Sequence, residues 1–217
     1  MQKVHRGIEE RRERKNVTNH QTIEEGRSPD VPRRFRTILA DPPWETHQQG
    51  AKGAGRHYRL MSLECIKEMP VGDLAEADSF LFLWTTNTVL RDAYDVAEAW
   101  GYVPRVPITW VKFRLGLGHY ARNSTEHLLL CTRGKPSIRF RSQPTWINAP
   151  VQEHSRKPDE QYAVIERISE GPFCELFARR RPPSNRDWFV WGNEIDSDIV
   201  IPGYPVPSDR RHNHQEK

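Results

Sequence analysis

Short apolar runs without alternation recur along the middle of the chain: Thr37–Ala40, Phe80–Trp84, Ile108–Val111, His127–Cys131, Cys174–Phe177 and Trp188–Trp191. A strand with one wet face alternates apolar and polar residues, whereas a strand covered on both faces reads as a continuous apolar stretch. Helical patterns separate several of these runs. Val89, Ala93, Val96, Ala97 and Trp100 fall on one stripe, with Asn87 placed to cap the helix and Gly101 to end it. Tyr162, Ile165 and Ile168 form a second stripe after Asp159, with Gly171 as the stop, and a shorter helix is expected over Ser62–Glu68. Strands alternating with helices predict an α/β fold with a mostly parallel sheet. Ligands of such sheets bind beyond the carboxyl ends of the strands.

The 217 residues suffice for one ordinary domain. We place it at residues 35–200, after a charged arm (1–34) in which Arg6, Arg11, Arg12, Arg14 and Lys15 mix with Glu9, Glu10 and Glu13. Residues 201–217, opening Ile201-Pro202-Gly203-Tyr204-Pro205, read as a flexible tail. No apolar run approaches the ~20 residues of a membrane helix. The amino terminus lacks the apolar centre of a signal peptide. The 3 cysteines form no C-x-x-C pair, as expected of a cytoplasmic protein. The 9 histidines show no ligand spacing, so no metal is expected. A net charge of +4 leans toward a polyanionic partner. The loops Thr46–Leu60 and Arg114–Thr125, rich in glycine and arginine, stand out beyond the strand ends. The basic loops Thr46–Leu60 and Arg179–Arg186 would track phosphates, and Arg114–Thr125 reads either as a substrate loop or as a subunit contact.

Immediately after the first run comes Asp41-Pro42-Pro43-Trp44. These residue types suit chemistry on an aromatic amine, whose lone pair is delocalised into its ring. A carboxylate at Asp41 and the Pro42 carbonyl can each accept one amine hydrogen and draw the nitrogen toward a tetrahedral geometry. Prolines supply carbonyls without a competing N–H and fix φ, so the acceptors are preorganised. Trp44 offers a face for base stacking.

The motif resembles that of adenine-specific amino-methyltransferases that use S-adenosylmethionine. Further segments follow in order: Tyr58 ahead of Met61-Ser62, Phe80–Trp84, Trp110-Val111-Lys112, Glu126-His127, His154–Pro158, Glu175–Arg179 and Trp191-Gly192-Asn193-Glu194. Together, over about residues 36–196, they resemble the adenine-N6 methyltransferase family that includes the catalytic subunit of the eukaryotic mRNA N6-adenosine methyltransferase and its small bacterial and phage relatives. The resemblance implies a Rossmann-like methyltransferase fold in permuted order, the catalytic motif preceding the cofactor motif. It implies catalysis by Asp41, Pro42, Pro43 and Trp44. It implies S-adenosyl-L-methionine held by Asp41, Lys157, Phe177, Arg179, Asn193 and Glu194, with Lys157 on the cofactor carboxylate. Tyr58, Arg122, Glu126 and His127 would border the substrate.

Each residue has a plainer reading. Lys157 could sit on the surface before a helix, Glu194 could be an exposed strand-end carboxylate, and His127 reads equally well as a buried structural histidine. The run Arg180–Trp188 is longer than its counterpart in the mRNA enzyme, and Glu194 stands where that enzyme has glutamine. The expected activity is transfer of a methyl group to the N6 amine of adenine in nucleic acid. DNA is favoured, by analogy with the short bacterial and phage forms, and RNA is the alternative. A non-catalytic partner of the same fold would be expected to lose Asp41, Trp44 or Lys157, and all are present. A homodimer or a partner subunit stays open.

Overall fold

A computed structural model describes residues 34–45, 60–118, 120–153 and 156–209. The charged arm, Tyr58 and most of the loop Thr46–Leu60 lie outside these residues. The described chain runs β1 (Phe35–Ala40), α1 (Leu63–Lys67), β2 (Ala75–Thr86), α2 (Leu90–Ala99), β3 (Val103–Val111), β4 (Thr125–Arg133), β5 (Trp146–Asn148), α3 (Glu160–Ile168), β6 (Phe173–Leu176) and β7 (Trp188–Trp191).

The strands form one 7-stranded sheet in the order β5-β3-β4-β2-β1-β6-β7. β1 pairs in parallel with β2 and β6, β6 with β7, and β3 with β5. β4 alone runs against its neighbours β2 and β3. The fold is thus the expected α/β arrangement with a mostly parallel sheet.

Both faces of the sheet are covered, which is why its central strands need no alternation. Ile38, Ala40, Leu81 and Leu83 join Ala93, Val96, Ala97 and Trp100 of the α2 segment in one core. Leu39, Phe80, Phe82 and Trp84 join Tyr162, Ile165 and Ile168 of α3 in the other. Buried tryptophans find acceptors for their indole N–H groups: Trp100 on Ile66 O (2.9 Å), Trp110 on Ala149 O (2.9 Å) and Trp84 on Gln161 Oε1 (2.7 Å).

The structure corrects several local expectations. Ser62 caps α1, accepting from Cys65 N–H, but Asn87 does not cap α2. Its side chain instead donates to Thr125 O at 3.2 Å and Thr125 Oγ1 at 3.1 Å, and a 3-10 turn over Asn87–Val89 precedes the helix. Asp159 precedes α3 without a capping bond, because its carboxylate is taken by Arg156 and Arg180. β6 ends at Leu176 rather than Phe177, which adopts φ +63°.

The segment from 201 is packed through 209 rather than free. Ile201 and Val206 are buried in the α2-side core, and the Tyr204 hydroxyl donates to Cys65 O at 3.1 Å. A turn at Gly203 (φ +82°) folds these apolar residues back onto the domain, where burial outweighs the freedom of a tail. Among the described residues, no helix is long and apolar enough to cross a membrane.

Candidate active site

The reversed direction of β4 assembles the site. β1, β2, β3, β6 and β7 all end at one edge of the sheet, and β4 begins there, with Glu126 paired to Thr86 of β2 and Trp110 of β3. Residues just past the ends of parallel strands therefore meet the first residues of β4. They line one cleft of about 1220 Å³.

Asp41 leaves β1 at the centre of this edge. The turn after it is tightly held: Trp44 N–H donates to Pro42 O (2.9 Å), Met61 N–H to Pro43 O (3.0 Å) and Glu45 N–H to Met61 O (3.2 Å). The Pro42 carbonyl keeps a second lone pair. The Trp44 indole N–H donates to Trp84 O at 3.0 Å, and the ring is only 9% exposed. Trp44 thus forms part of the cleft wall, with less open face than the sequence suggested.

Lys157 Nζ lies 2.7 Å from Asp41 Oδ2 and 3.5 Å from Glu126 Oε2, and Glu126 Oε1 also pairs with Lys112. Acid and base thus alternate in the order Asp41, Lys157, Glu126, Lys112. Tryptophan rings lie beneath the two cations: Lys157 Nζ is 5.6 Å from the Trp84 ring centroid, and Lys112 Nζ is 4.7 Å from that of Trp110. The bond from Trp84 to Gln161 on α3 fixes the start of that helix. Lys157, just ahead of α3, is thereby held over the ring.

Burial raises the pKa of Asp41 against the opposing pull of Lys157. At Glu126 burial also works upward, but Lys157 and Lys112 outweigh it and hold the carboxyl below its usual value. Glu126 Oε2 is buried without a hydrogen bond. Glu175, on β6, accepts from the Tyr162 hydroxyl at 3.0 Å. Burial, with Asp41 nearby, pushes its pKa up to about 8.

Another wall comes from the ends of β6 and β7. Phe177, held at φ +63°, meets the Trp191 ring edge-on at 5.3 Å. Ala178 N–H donates to Trp191 O at 2.9 Å, and a Cβ on Gly192 would lie 2.0 Å from Ala178 O, so only glycine allows this approach. Arg179 Nε pairs with Glu194 Oε1 at 2.9 Å on the open rim. Gly203, Tyr204 and Pro205 also line the cleft.

Of the residues singled out from sequence, Asp41, Pro42, Pro43, Trp44, Arg122, Glu126, Lys157, Phe177, Arg179, Asn193 and Glu194 all line this cleft. Tyr58 lies outside the described residues. His127 is not on the wall. Its Nδ1 meets Thr109 Oγ1 (3.1 Å) and its Nε2 meets Asn87 Oδ1 (2.9 Å), and burial lowers its pKa. Neighbouring strand residues face opposite ways, so where Glu126 faces Lys157, His127 turns aside and steadies Asn87, which does line the cleft. Sequence reasoning passed over Lys112, Tyr204 and Pro205. Lys112 ends the segment Trp110-Val111-Lys112, and only strand pairing shows that it meets Glu126.

Comparison with known proteins fits this geometry. The sequence profile of the MT-A70 family matches residues 35–194. A putative N(6)-adenosine-methyltransferase MT-A70-like protein of Medicago truncatula is 34% identical over 181 residues, covering 79% of this chain and 28% of the relative. The human N(6)-adenosine-methyltransferase catalytic subunit METTL3 is 33% identical over 175 residues, covering 75% and 28%. The Type II methyltransferase M.MunI of Mycoplasma sp is 30% identical over 202 residues, covering 80% and 84%. The chain thus spans under a third of the length of the two N(6)-adenosine-methyltransferase relatives and most of the length of M.MunI.

Proposed function

The chain belongs to the MT-A70 family, and on that premise we propose that it transfers a methyl group from S-adenosyl-L-methionine to the N6 amine of adenine in nucleic acid. The observation that carries this reading is the preorganised acceptor pair, the Asp41 carboxylate and the Pro42 carbonyl, opening onto a cleft beside a lysine.

The residues present suit the cofactor. Its amino-acid end needs an acceptor for the ammonium and a cation for the carboxylate, and Asp41 and Lys157 supply these 2.7 Å apart. Asn193 and Glu194 offer polar groups for ribose hydroxyls on the same cleft. When bound, S-adenosylmethionine supplies a methyl group on a positively charged sulfur.

Asp41 and the Pro42 carbonyl accept the two hydrogens of the adenine amine and draw its lone pair out of the ring. Trp44 walls the base in, and Glu126, paired with both Lys157 and Lys112, holds the lysine in place beside Asp41. Bound there, S-adenosylmethionine would supply its methyl carbon to the amine nitrogen and keep the carbon–sulfur electron pair on its sulfur. The nitrogen then sheds its surplus proton along its bond to Asp41. Holding amine and methyl in line is worth about 7–11 kcal/mol of barrier.

DNA is the polymer we favour, by analogy with short free-standing methyltransferases: this chain covers 84% of the Type II methyltransferase M.MunI. RNA is the alternative, after the N(6)-adenosine-methyltransferases. The test is methyl transfer from labelled S-adenosylmethionine to unmethylated DNA and RNA in parallel, with Asp41→Ala as control. Label recovered as N6-methyladenine from one polymer only identifies the substrate. No label in either, with the cofactor bound, overturns the reading.

A further inference from the structure

Between β3 and β4 the chain leaves the sheet as a narrow hairpin. Lys112 N–H donates to Ser124 O (2.8 Å), Gly116 N–H to Asn123 O (2.6 Å) and Asn123 Nδ2 to Leu117 O (2.7 Å). The two limbs pass so closely that a Cβ on Gly118 would lie 1.8 Å from Ala121 O. The two limbs are therefore tied to each other at Lys112–Ser124 and at Gly116 and Leu117 with Asn123, yet they turn apolar side chains to water: Phe113 is 75% exposed, Leu117 63% and Tyr120 106%. Exposed apolar groups gathered on one tied loop mark a contact surface.

Two features say what it contacts. Arg114 and Arg122 alternate with these side chains, and residues 113–124 contain no aspartate or glutamate, so the surface complements a polyanion. Arg114, Leu117 and Arg122 also line the cleft, so whatever lies on the hairpin is continuous with whatever enters the site.

We propose that this hairpin is a stacking wedge. Phe113 and Tyr120 take the bases that flank the target adenine, and Arg114 and Arg122 pair with the phosphates alongside. The inference rests on the nucleic-acid reading above and adds to it how the strand is held once the target base turns out. Turning a base out leaves its neighbours unstacked, and an inserted ring or apolar side chain restores the lost contact. Stacking on a ring does not discriminate between bases, so the wedge grips any flanking sequence.

The test uses the full chain and a Phe113→Ser/Tyr120→Ser double variant, both positions pointing outward. Binding to fluorescein-labelled single-stranded DNA and RNA of about 16 nucleotides is followed by anisotropy over a salt series. The double variant is expected to bind about 10-fold or more weakly, with an unchanged slope of log affinity against log salt, because no phosphate contact is lost. Arg114→Ala is expected to reduce that slope by about one phosphate's worth. Binding by the double variant equal to the parent's overturns the proposal. So does a double variant that converts a dimer to a monomer in sedimentation while oligonucleotide binding is unchanged, since the hairpin then meets a second copy. Methylation is assayed separately. Hairpin-dependent binding without any methylated adenine would sink the proposed activity and leave the wedge standing.

Discussion

In the proposed reaction Asp41 takes up the surplus proton of the amine and must be ionised to do so, yet burial raises its pKa and Lys157 pulls the other way. The acid limb of the rate profile is therefore expected above the pH at which a free aspartate titrates. Lys157→Gln removes the lowering influence and should move the limb higher still, besides weakening cofactor binding. A kcat–pH series on both proteins checks this, and coincident limbs would refute it. Asp41→Asn keeps the shape and removes an acceptor, so kcat is expected to fall by roughly 10²–10³ with little change in Tm. Glu175 is the opposite case, an acid kept neutral. The unfolded chain releases this proton near pH 4.5 and the folded chain near pH 8, so stability declines as pH rises between those values. Glu175→Gln keeps an acceptor for Tyr162. It should raise Tm at pH 8 by several degrees, about 2–4 °C per kcal/mol, and leave it unchanged at pH 4. Asp41, Lys157 and Glu126 were legible because their residue types and segments carry meaning alone. The neutrality of Glu175 was not, because it arises from strand packing and from a tyrosine on another element.

At the scale of elements, the cleft depends on how closely β6 and β7 end together. Gly192→Ala would drive a methyl group into Ala178 O, so the two strand ends must part. A loss of about 1–3 kcal/mol is expected, read as a lower Tm, with weaker cofactor binding by calorimetry. Gln161→Leu leaves the buried Trp84 N–H without an acceptor and should cost about 1–3 kcal/mol while loosening Lys157. The apolar runs of the sequence all fall on strands because the sheet is covered on both faces. Their directions did not show, since an apolar run reads the same either way, and the reversal of β4 is what brings Glu126 to the site. β5 has only three residues and carries no pattern of its own. The first part of β3 was hidden by Pro104 and Pro107. Prolines are tolerated there because β5 pairs only with Thr109–Val111, leaving that stretch as an edge. Asn87 looked like a cap because its type suits one, but bonds to β4 claimed it first.

For the molecule as a whole, the last described residues belong to the domain. A chain ending after Asp209 is expected to match the full chain in Tm and cofactor affinity. One ending after Val200 loses Ile201 and Val206 from the core and Tyr204 and Pro205 from the cleft, and should fall well short in both. Equal behaviour of the two truncations would remove this segment from the account. The order of the sheet also bears on the birth of the protein. β1 is made first among the strands, but one of its two partners, β6, is among the last, and the lysine that pairs with Asp41 follows it by 116 residues. During synthesis, β1 and β2 can pair early, leaving one side of β1 an open, apolar edge until β6 has left the ribosome. A fragment ending before β6 would keep that edge of β1 unpaired and lack the wall of the cleft that β6 and β7 supply.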